Sequence, residues 1–381
     1  MKKICFVTTV SLTLRMFVLK TAEYLHLNGY DISFICDEDP DFAASLPEYI
    51  HYYPIPMKRG ISLGGIGAMR KMKKIFQRER FDLVQYSTPN ASLYASMAAK
   101  SAHIPVRLYC QWGMAYVGFS GLKRKLFKQI EKTVCRFSTW IEPDSFGNLR
   151  FSHDEGLYPP EKGSVIWNGS ACGVDLNKFD CTQKAAWRSS IRGKYGIPET
   201  AIVFGFVGRV TRDKGINELL AASKRLFDEN ENAYLMIVGN NEITSAVNAE
   251  LYNWAVNEPR VFFCGSTNRV EQYLSAMDVY ILPSYREGFG MVVVEAEAMG
   301  VPVIITDIPG PTDAMIPDLT GMIVQKGDDD SLCRAMRVLA ENERLRLDMG
   351  ANGRSFAAER FDQRVLLDKL LQDREKLLNC K

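Results

Sequence analysis

The stretch AIVFGFVGRVTRDKGINELLAASKRLFDENENAYLMIVGN, residues 201–240, decides the fold. An apolar run of strand length ends at Gly208, a polar loop carries Arg209 and Lys214, and helical periodicity begins at Ile216. A second apolar run, AYLMIVGN, follows. Strand, helix and strand in direct succession form a crossover unit, which sets the two strands parallel in one sheet. Downstream, VFFCGST (261–267), VYILPSY (279–285) and VPVIITDI (301–308) read as further strands with helices between them.

Upstream the same alternation occurs separately. KICFVTTV (3–10) is a strand, and LRMFVLKTAEYLHLNG (14–29) an amphipathic helix ended by Gly29. DISFICDE (31–38) is a strand, GGIGAMRKMKKIFQRER (64–80) a basic helix, and FDLVQYST (81–88) a strand. ASLYASMAAKSAHI (91–104) is a helix stopped by Pro105, and PVRLYCQWG (105–113) a strand. Such alternation predicts two doubly wound α/β domains. The polar, aperiodic residues 168–200 between them read as the linker. The expected domains are 1–168 and 169–365, with a terminal helix at about 366–381 packing back on the first. In open α/β sheets ligands bind beyond the carboxyl ends of the strands, so chemistry is sought there.

Composition bounds the rest. Of the 381 residues, 46% are hydrophobic and 24% charged, as in a soluble globular protein. No uninterrupted apolar run reaches membrane-spanning length. MKKICFVTTVSLTL resembles a signal peptide, but Lys20 and Glu23 follow without a small-residue cleavage site, so a first strand is expected. Nine cysteines are scattered with no CxxC pair and no Cys/His cluster, which supports neither a disulfide framework nor a metal site and fits the cytoplasm. Residues 1–185 hold 24 Lys and Arg against 17 Asp and Glu, a net of +7.

Two constellations carry the chemistry. In FVGRVTRDKG (206–215), Arg209 and Lys214 share one loop at a strand end, which suits a diphosphate: Arg supplies a planar donor fork and Lys a point charge. Two solvated loop charges are the alternative. In PSYREGFGMVVVEAEAMGVPVI (283–304), Glu287 follows a strand, Gly288 and Gly290 admit close backbone approach, and a helix starts near Met291. Glu295 lies about one turn inside it, on an apolar surface where an ionised carboxylate needs donors. Ribose hydroxyls would serve. Alternatively, Glu287 caps the helix and Glu295 pairs with a cation elsewhere.

GRVTRDKG (208–215) followed by EGFGMVVVE (287–295) is similar to the phosphate loop and E-x7-E motif of the GT-B-fold retaining glycosyltransferases of family 4, the glycosyl transferases group 1. PGPTDAMIPDLTGMIVQKGD (309–328) and NGSACGVDLNKF (168–179) resemble neighbouring segments of that family. The resemblance implies two Rossmann-like domains facing across a cleft, and sugar transfer from a nucleoside diphosphate sugar, expected to be UDP-linked. It implies that Gly208, Arg209 and Lys214 bind the donor diphosphate, with amides near Gly288, Phe289 and Gly290 assisting. Glu287 would contact sugar hydroxyls and Glu295 the ribose. No DxD motif sits at a suitable loop, so no metal and no cofactor is expected.

The N-terminal half departs from that pattern. Thr8–Thr13 replaces a Gly-rich loop, leaving Ser11 and Thr13 as hydroxyl donors. Trp112, preceded by Gln111, aligns where many members have a histidine; it would stack on a sugar but cannot exchange its proton. The resemblance assigns the acceptor, a glycan or a polyprenyl-diphosphate-linked sugar, to this half. It also points to bacterial surface polysaccharide assembly: capsule, O-antigen or exopolysaccharide. MKRGISLGGIGAMRKMKKIFQRER (57–80) and GFSGLKRKLFKQIEKTVCRF (118–137) mix cations with apolar residues at helical spacing. They suit either peripheral contact with an anionic membrane at its inner face or ordinary amphipathic packing. No nucleic-acid-binding motif is found. Two rival functions remain at this point: a nucleotide-sugar epimerase of the same fold, and a catalytically weak nucleotide-sugar-binding protein.

Overall fold

A computed structural model describes residues 1–57, 64–242, 244 and 246–379. The chain forms two compact units, Met1–Cys172 with Arg364–Lys381, and Gly173–Gln363. Lys58 and Arg59, at the start of the first basic stretch, and Cys380 lie outside the described residues.

In the first unit, β1 (Lys2–Val7), β2 (Tyr30–Cys36), β3 (Ile50–Pro54), β4 (Leu83–Tyr86), β5 (Val106–Gln111) and β6 (Trp140–Pro143) form one sheet in the order β3-β2-β1-β4-β5-β6. Every pairing in it is parallel. A parallel sheet is covered on both faces, so its central strands bury consecutive residues rather than alternate ones, Ile4 to Val7 in β1 and Leu83 to Tyr86 in β4. Alternate β1 residues go to opposite cores. Cys5 and Val7 pack with the helices Gly64–Glu79, Pro89–Ser101 and Gly121–Phe137, whereas Ile4 and Phe6 pack with Leu14, Val18, Ala22 and Leu25. The expected helix over 14–29 is present but opens with a π-helical turn, Leu14–Val18, before continuing as Leu19–Leu27.

The last helix, Gln363–Asn379, completes this unit from the far end of the chain. Leu370 joins the core beneath β1 and β2. Arg374 is fully buried; its guanidinium donates to both oxygens of Glu142 on β6, at 2.5 and 3.0 Å, and to Oε1 of Gln85 on β4 at 3.2 Å. The flanking guanidinium and its hydrogen bonds offset the burial that raises the Glu142 carboxyl above the ordinary carboxylate range.

The second unit carries β7 (Ile202–Val207), β8 (Ala233–Val238), β9 (Val261–Gly265), β10 (Val279–Leu282), β11 (Val303–Thr306) and β12 (Gly321–Val324), in the order β12-β11-β10-β7-β8-β9. All pairings are again parallel. From β7 the chain winds outward through β8 and β9, then returns to place β10 on the other side of β7. The carboxyl ends of β7 and β10 therefore flank a topological switch point; those of β1 and β4 do the same in the first unit.

One reading of the sequence needs correction. Residues 184–195, taken as linker, form a helix. Its apolar stripe is thin, Trp187, Ile191 and Tyr195 against the core, and is set among charged residues and Gly193, so the periodicity is weak; a buried charge adds to its hold. Arg192, fully buried, donates to the carbonyls of Ala276, Pro198 and Ala201 and to Asp278 at 2.7 Å.

Truncating Arg374 strands the Glu142 carboxylate of β6 beneath the terminal helix. Arg374→Ala should cost about 3–5 kcal/mol, read as a lowered urea midpoint. Replacing the pair together, Glu142→Leu with Arg374→Met, should recover much of that loss. An equal loss in the double variant would show that packing, not the stranded charge, sets the cost.

Candidate functional site at the β7–β10 switch point

Gly208 leaves β7 with its N–H on the Val238 carbonyl at 2.9 Å. The chain then makes a single 3₁₀ turn, Arg212–Lys214, held by Thr211 Oγ1 on Asp213 Oδ1 at 2.6 Å. Gly215 takes the left-handed conformation, φ +74°, and a Cβ there would lie 2.0 Å from the Pro283 carbonyl oxygen. Only glycine fits, and its presence seats the loop after β7 directly on the loop after β10.

That contact brings the two predicted constellations together. Lys214 Nζ lies 2.6 Å from Glu287 Oε1, and both side chains are mostly buried. Ser284 Oγ, itself fully buried, donates to the same carboxylate oxygen at 2.7 Å. Arg209 stays half-exposed, with Nη1 on Glu242 Oε2 at 2.9 Å and Nη2 3.9 Å from Asp213 Oδ2. Asp213 also receives Arg286 Nη2 at 3.0 Å. Burial works to raise its carboxyl, but the Thr211 hydroxyl and the cations Arg286, Arg209 and Lys214 outweigh it and hold Asp213 below the usual range. Three cations, Arg209 and Lys214 from the loop after β7 and Arg286 from the loop after β10, thus surround one half-buried acid.

Gly290, φ +85°, ends the loop after β10 and starts the helix Met291–Ala298. Gly310 packs on that loop: a Cβ there would lie 1.9 Å from the Gly288 carbonyl oxygen. Phe289 turns inward, its ring 5.2 Å from that of Phe361 and edge-on to it, so only its backbone faces the loop. Glu295 is half-buried on the helix. Burial pushes its carboxyl up to about 7; the Lys178 ammonium pulls it down and the Glu271 carboxylate pushes it up. Lys178 Nζ lies 4.0 Å from Glu271 Oε2. Glu297, two residues on, is fully buried, and burial pushes its carboxyl well above the usual range, with the Thr320 hydroxyl opposing.

Four further residues singled out in the sequence lie in the first unit. Ser11 Oγ donates to Asp39 Oδ2 at 2.5 Å, a bond that leads in holding the Asp39 carboxyl low. Thr13 closes the short helix Ser11–Thr13. Gln111 is fully buried, with Nε2 on Glu131 at 2.7 Å and Oε1 accepting from Ser152 at 2.9 Å, so both ends of its amide are occupied. Trp112 is half-buried, its ring 5.8 Å from that of Phe17. The β1–β4 switch point is marked by Thr9, within the Thr8–Thr13 stretch, and by Thr88, which was not singled out. Their hydroxyls bond at 2.8 Å, and Thr88 adopts φ +72°, an unusual conformation for a β-branched residue. Positive φ at a threonine has no sequence signature. Ser284, Asp213 and Lys178, which lie inside quoted segments, and Glu242, two residues beyond one, were not singled out as site residues.

Among the described residues no group of three or more His, Cys, Asp or Glu is placed to hold a metal ion. No described helix is long and apolar enough to cross a membrane.

Comparison with known proteins agrees in both halves. The family described as Glycosyl transferases group 1 matches residues 188–356, and Glycosyl transferase 4-like matches residues 3–145. The Staphylococcus aureus capsular polysaccharide biosynthesis glycosyltransferase CapM is 28% identical, with 97% of this chain and 96% of CapM covered. An Escherichia coli enzyme named UDP-Gal:alpha-D-GlcNAc-diphosphoundecaprenol alpha-1,3-galactosyltransferase is 27% identical over 92% of this chain and 90% of its own. Among solved structures, Anabaena HepE in complex with UDP and glucose superposes with a TM-score of 0.80 at 20% identity, covering 99% of this chain and all of HepE. The two parallel six-stranded sheets, with the matches to both halves, make this chain a GT-B-fold glycosyltransferase belonging to the glycosyl transferases group 1.

Proposed function

We propose that the enzyme transfers a hexose or N-acetylhexosamine from a UDP-sugar, with retention of anomeric configuration, to a glycan or polyprenyl-diphosphate-linked acceptor. The process served is bacterial surface polysaccharide assembly. The observation that carries the donor side is the seating of the Arg209/Lys214 loop on the Glu287 loop through Gly215. The relatives named for capsule synthesis and for a diphosphoundecaprenol acceptor support the acceptor side.

In this reading Lys214 and Arg209 hold the donor diphosphate, with the backbone at Gly208 and at Gly288, Phe289 and Gly290 lying close to it. As the anomeric C–O bond breaks, charge gathers on the departing phosphate, where two fixed cations are worth most. That charge supply is why no divalent metal or cofactor is proposed. Glu287, already fixed by Lys214 and Ser284, meets hydroxyls of the transferred sugar. The departing phosphate takes the acceptor proton, so no protein base is invoked; Gln111, with both amide ends occupied, would not serve as one. The first unit takes the acceptor, with Ser11, Thr13 and Trp112 as candidate contacts. The enzyme works in the cytoplasm, peripherally at the inner face of the membrane.

The deciding experiment is mass spectrometry of products from a panel of nucleotide sugars with membrane lipid extract as acceptor, run with and without EDTA. A glycosylated lipid formed equally in both is expected. An altered free nucleotide sugar would indicate an epimerase instead, and loss of product with EDTA would remove the metal-free mechanism. Lys214→Ala should weaken UDP binding by about 1–2 kcal/mol, roughly tenfold, measured by calorimetry; unchanged binding would sink the phosphate-loop role. The Glu295 carboxyl, at about 7 in the free protein, must ionise to accept ribose hydroxyls. Affinity for UDP-glucose should therefore rise with pH through about 7, with a proton released on binding. Glu295→Gln should flatten that profile, and an identical profile in the variant would refute the ribose assignment.

A further inference from the structure

Two basic helices were open to two readings, membrane contact or ordinary amphipathic packing, and the structure separates them. In Gly64–Glu79 the apolar residues Ala68, Met72 and Phe76 turn inward and are buried, as ordinary packing requires. Gly121–Phe137 behaves differently. Its buried residues, Glu131, Val134 and Cys135, all fall in the second half, and none of its first ten is buried. Leu122 is 84% exposed and Leu126 59%.

The orientation of this helix is fixed. Arg124 Nη2 and Lys128 Nζ, one turn apart, both reach the Glu155 carboxylate, at 3.2 and 2.6 Å. Phe127 packs on Phe119, ring centres 4.8 Å apart. With 3.6 residues per turn, Leu122, Leu126, Gln129 and Thr133 must lie opposite Arg124, Lys128, Glu131 and Cys135. The two leucines are therefore held outward by ion pairs on the reverse side. Lys123 and Lys125 are exposed beside them, and Lys123 Nζ lies over the Phe119 ring at 4.1 Å.

The charge carried by the outer helices of this face is nearly all of one sign. Gly64–Glu79 and Gly121–Phe137 both pack against Pro89–Ser101, so the three helices share a face of the sheet. The two outer helices hold eleven Lys and Arg against two Glu. Of those two, Glu131 is buried, and Glu79 is paired with Arg78 and lies 3.7 Å from Lys3. Ile66 and Met97 add exposed apolar area on the flanking helices.

We infer that this three-helix face docks on an anionic lipid bilayer, with Leu122 and Leu126 inserting between headgroups and the surrounding lysines and arginines lying at headgroup level. Polyanions in solution would engage the cations but offer nothing to two outward leucines; a bilayer surface satisfies both. This role extends the proposal of a lipid-linked acceptor and rests on it for its purpose.

The test is co-sedimentation of the full chain with phosphatidylcholine vesicles, with and without phosphatidylglycerol, in the absence of donor and acceptor. The wild type should sediment only with phosphatidylglycerol present and be released by high salt. The double variant Leu122→Gln, Leu126→Gln, whose altered side chains are solvent-exposed, should keep its circular dichroism and melting temperature yet bind about tenfold or more weakly. Lys123→Gln with Lys125→Gln should also weaken binding. Heparin binding serves as the contrast: it should be unaffected by the leucine variant. Vesicle binding equal in the leucine variant, or no vesicle binding by the wild type alongside tight heparin binding, would overturn the docking surface in favour of a soluble polyanion. UDP binding on the same preparations keeps the outcomes apart, since a protein that docks but ignores UDP would contradict the transferase reading alone.

Discussion

The Pro283 carbonyl oxygen lies 2.0 Å from where a side chain on residue 215 would begin, and the candidate donor site depends on that closeness. Without it the loops after β7 and β10 would separate, and Lys214 would not reach Glu287. The contact arises from topology. Strands β7 and β10 are neighbours although two strands and their helices intervene in sequence, so their carboxyl-end loops diverge from a common edge. Glycine at 215 lets them touch before they diverge. Ser284 then adds a second donor to the Glu287 carboxylate, and Asp213 gathers the remaining cations, leaving the site charged but internally paired.

Much of this was legible beforehand because it is written in local chemistry. Strands β7 and β8 are unbroken apolar runs, and the two motifs sit at strand ends. What escaped depends on partners distant in the chain. Gln111 sits at the end of β5 just before Trp-Gly, where a polar residue looks exposable; its burial depends on Glu131 and Ser152, supplied by two later helices. Strands β3, β6 and β12 are short, and their pairing comes from sheet position more than from composition. The helix 184–195 does not stand out in the sequence because only Trp187, Ile191 and Tyr195 give it an apolar stripe, and Arg192, its most buried side chain, finds all its acceptors outside the helix.

That guanidinium has a counterpart. Arg192 in one unit and Arg374 in the other are both fully buried, and each ties a helix to the sheet of its own unit. A planar, permanently charged fork can satisfy several fixed acceptors at once, which an ammonium on a flexible stem cannot. Both serve as specific fasteners where an apolar contact would allow the helix to slide. The same chemistry works at the surface on the helix Gly121–Phe137, where Arg124 and Lys128 hold one face down and so determine what the other presents.

The position of Arg374 in the chain has a consequence for synthesis. Glu142 and Gln85, set within the first unit, have their guanidinium partner only once the last helix has left the ribosome. The second unit, Gly173–Gln363, is contiguous and is fully emerged before that helix arrives. Order of birth and order of completion are therefore reversed: the unit made first is finished last. While the second unit is being made it exposes an uncovered stretch of sheet and an unmatched acid, and the arrival of the helix Gln363–Asn379 closes it.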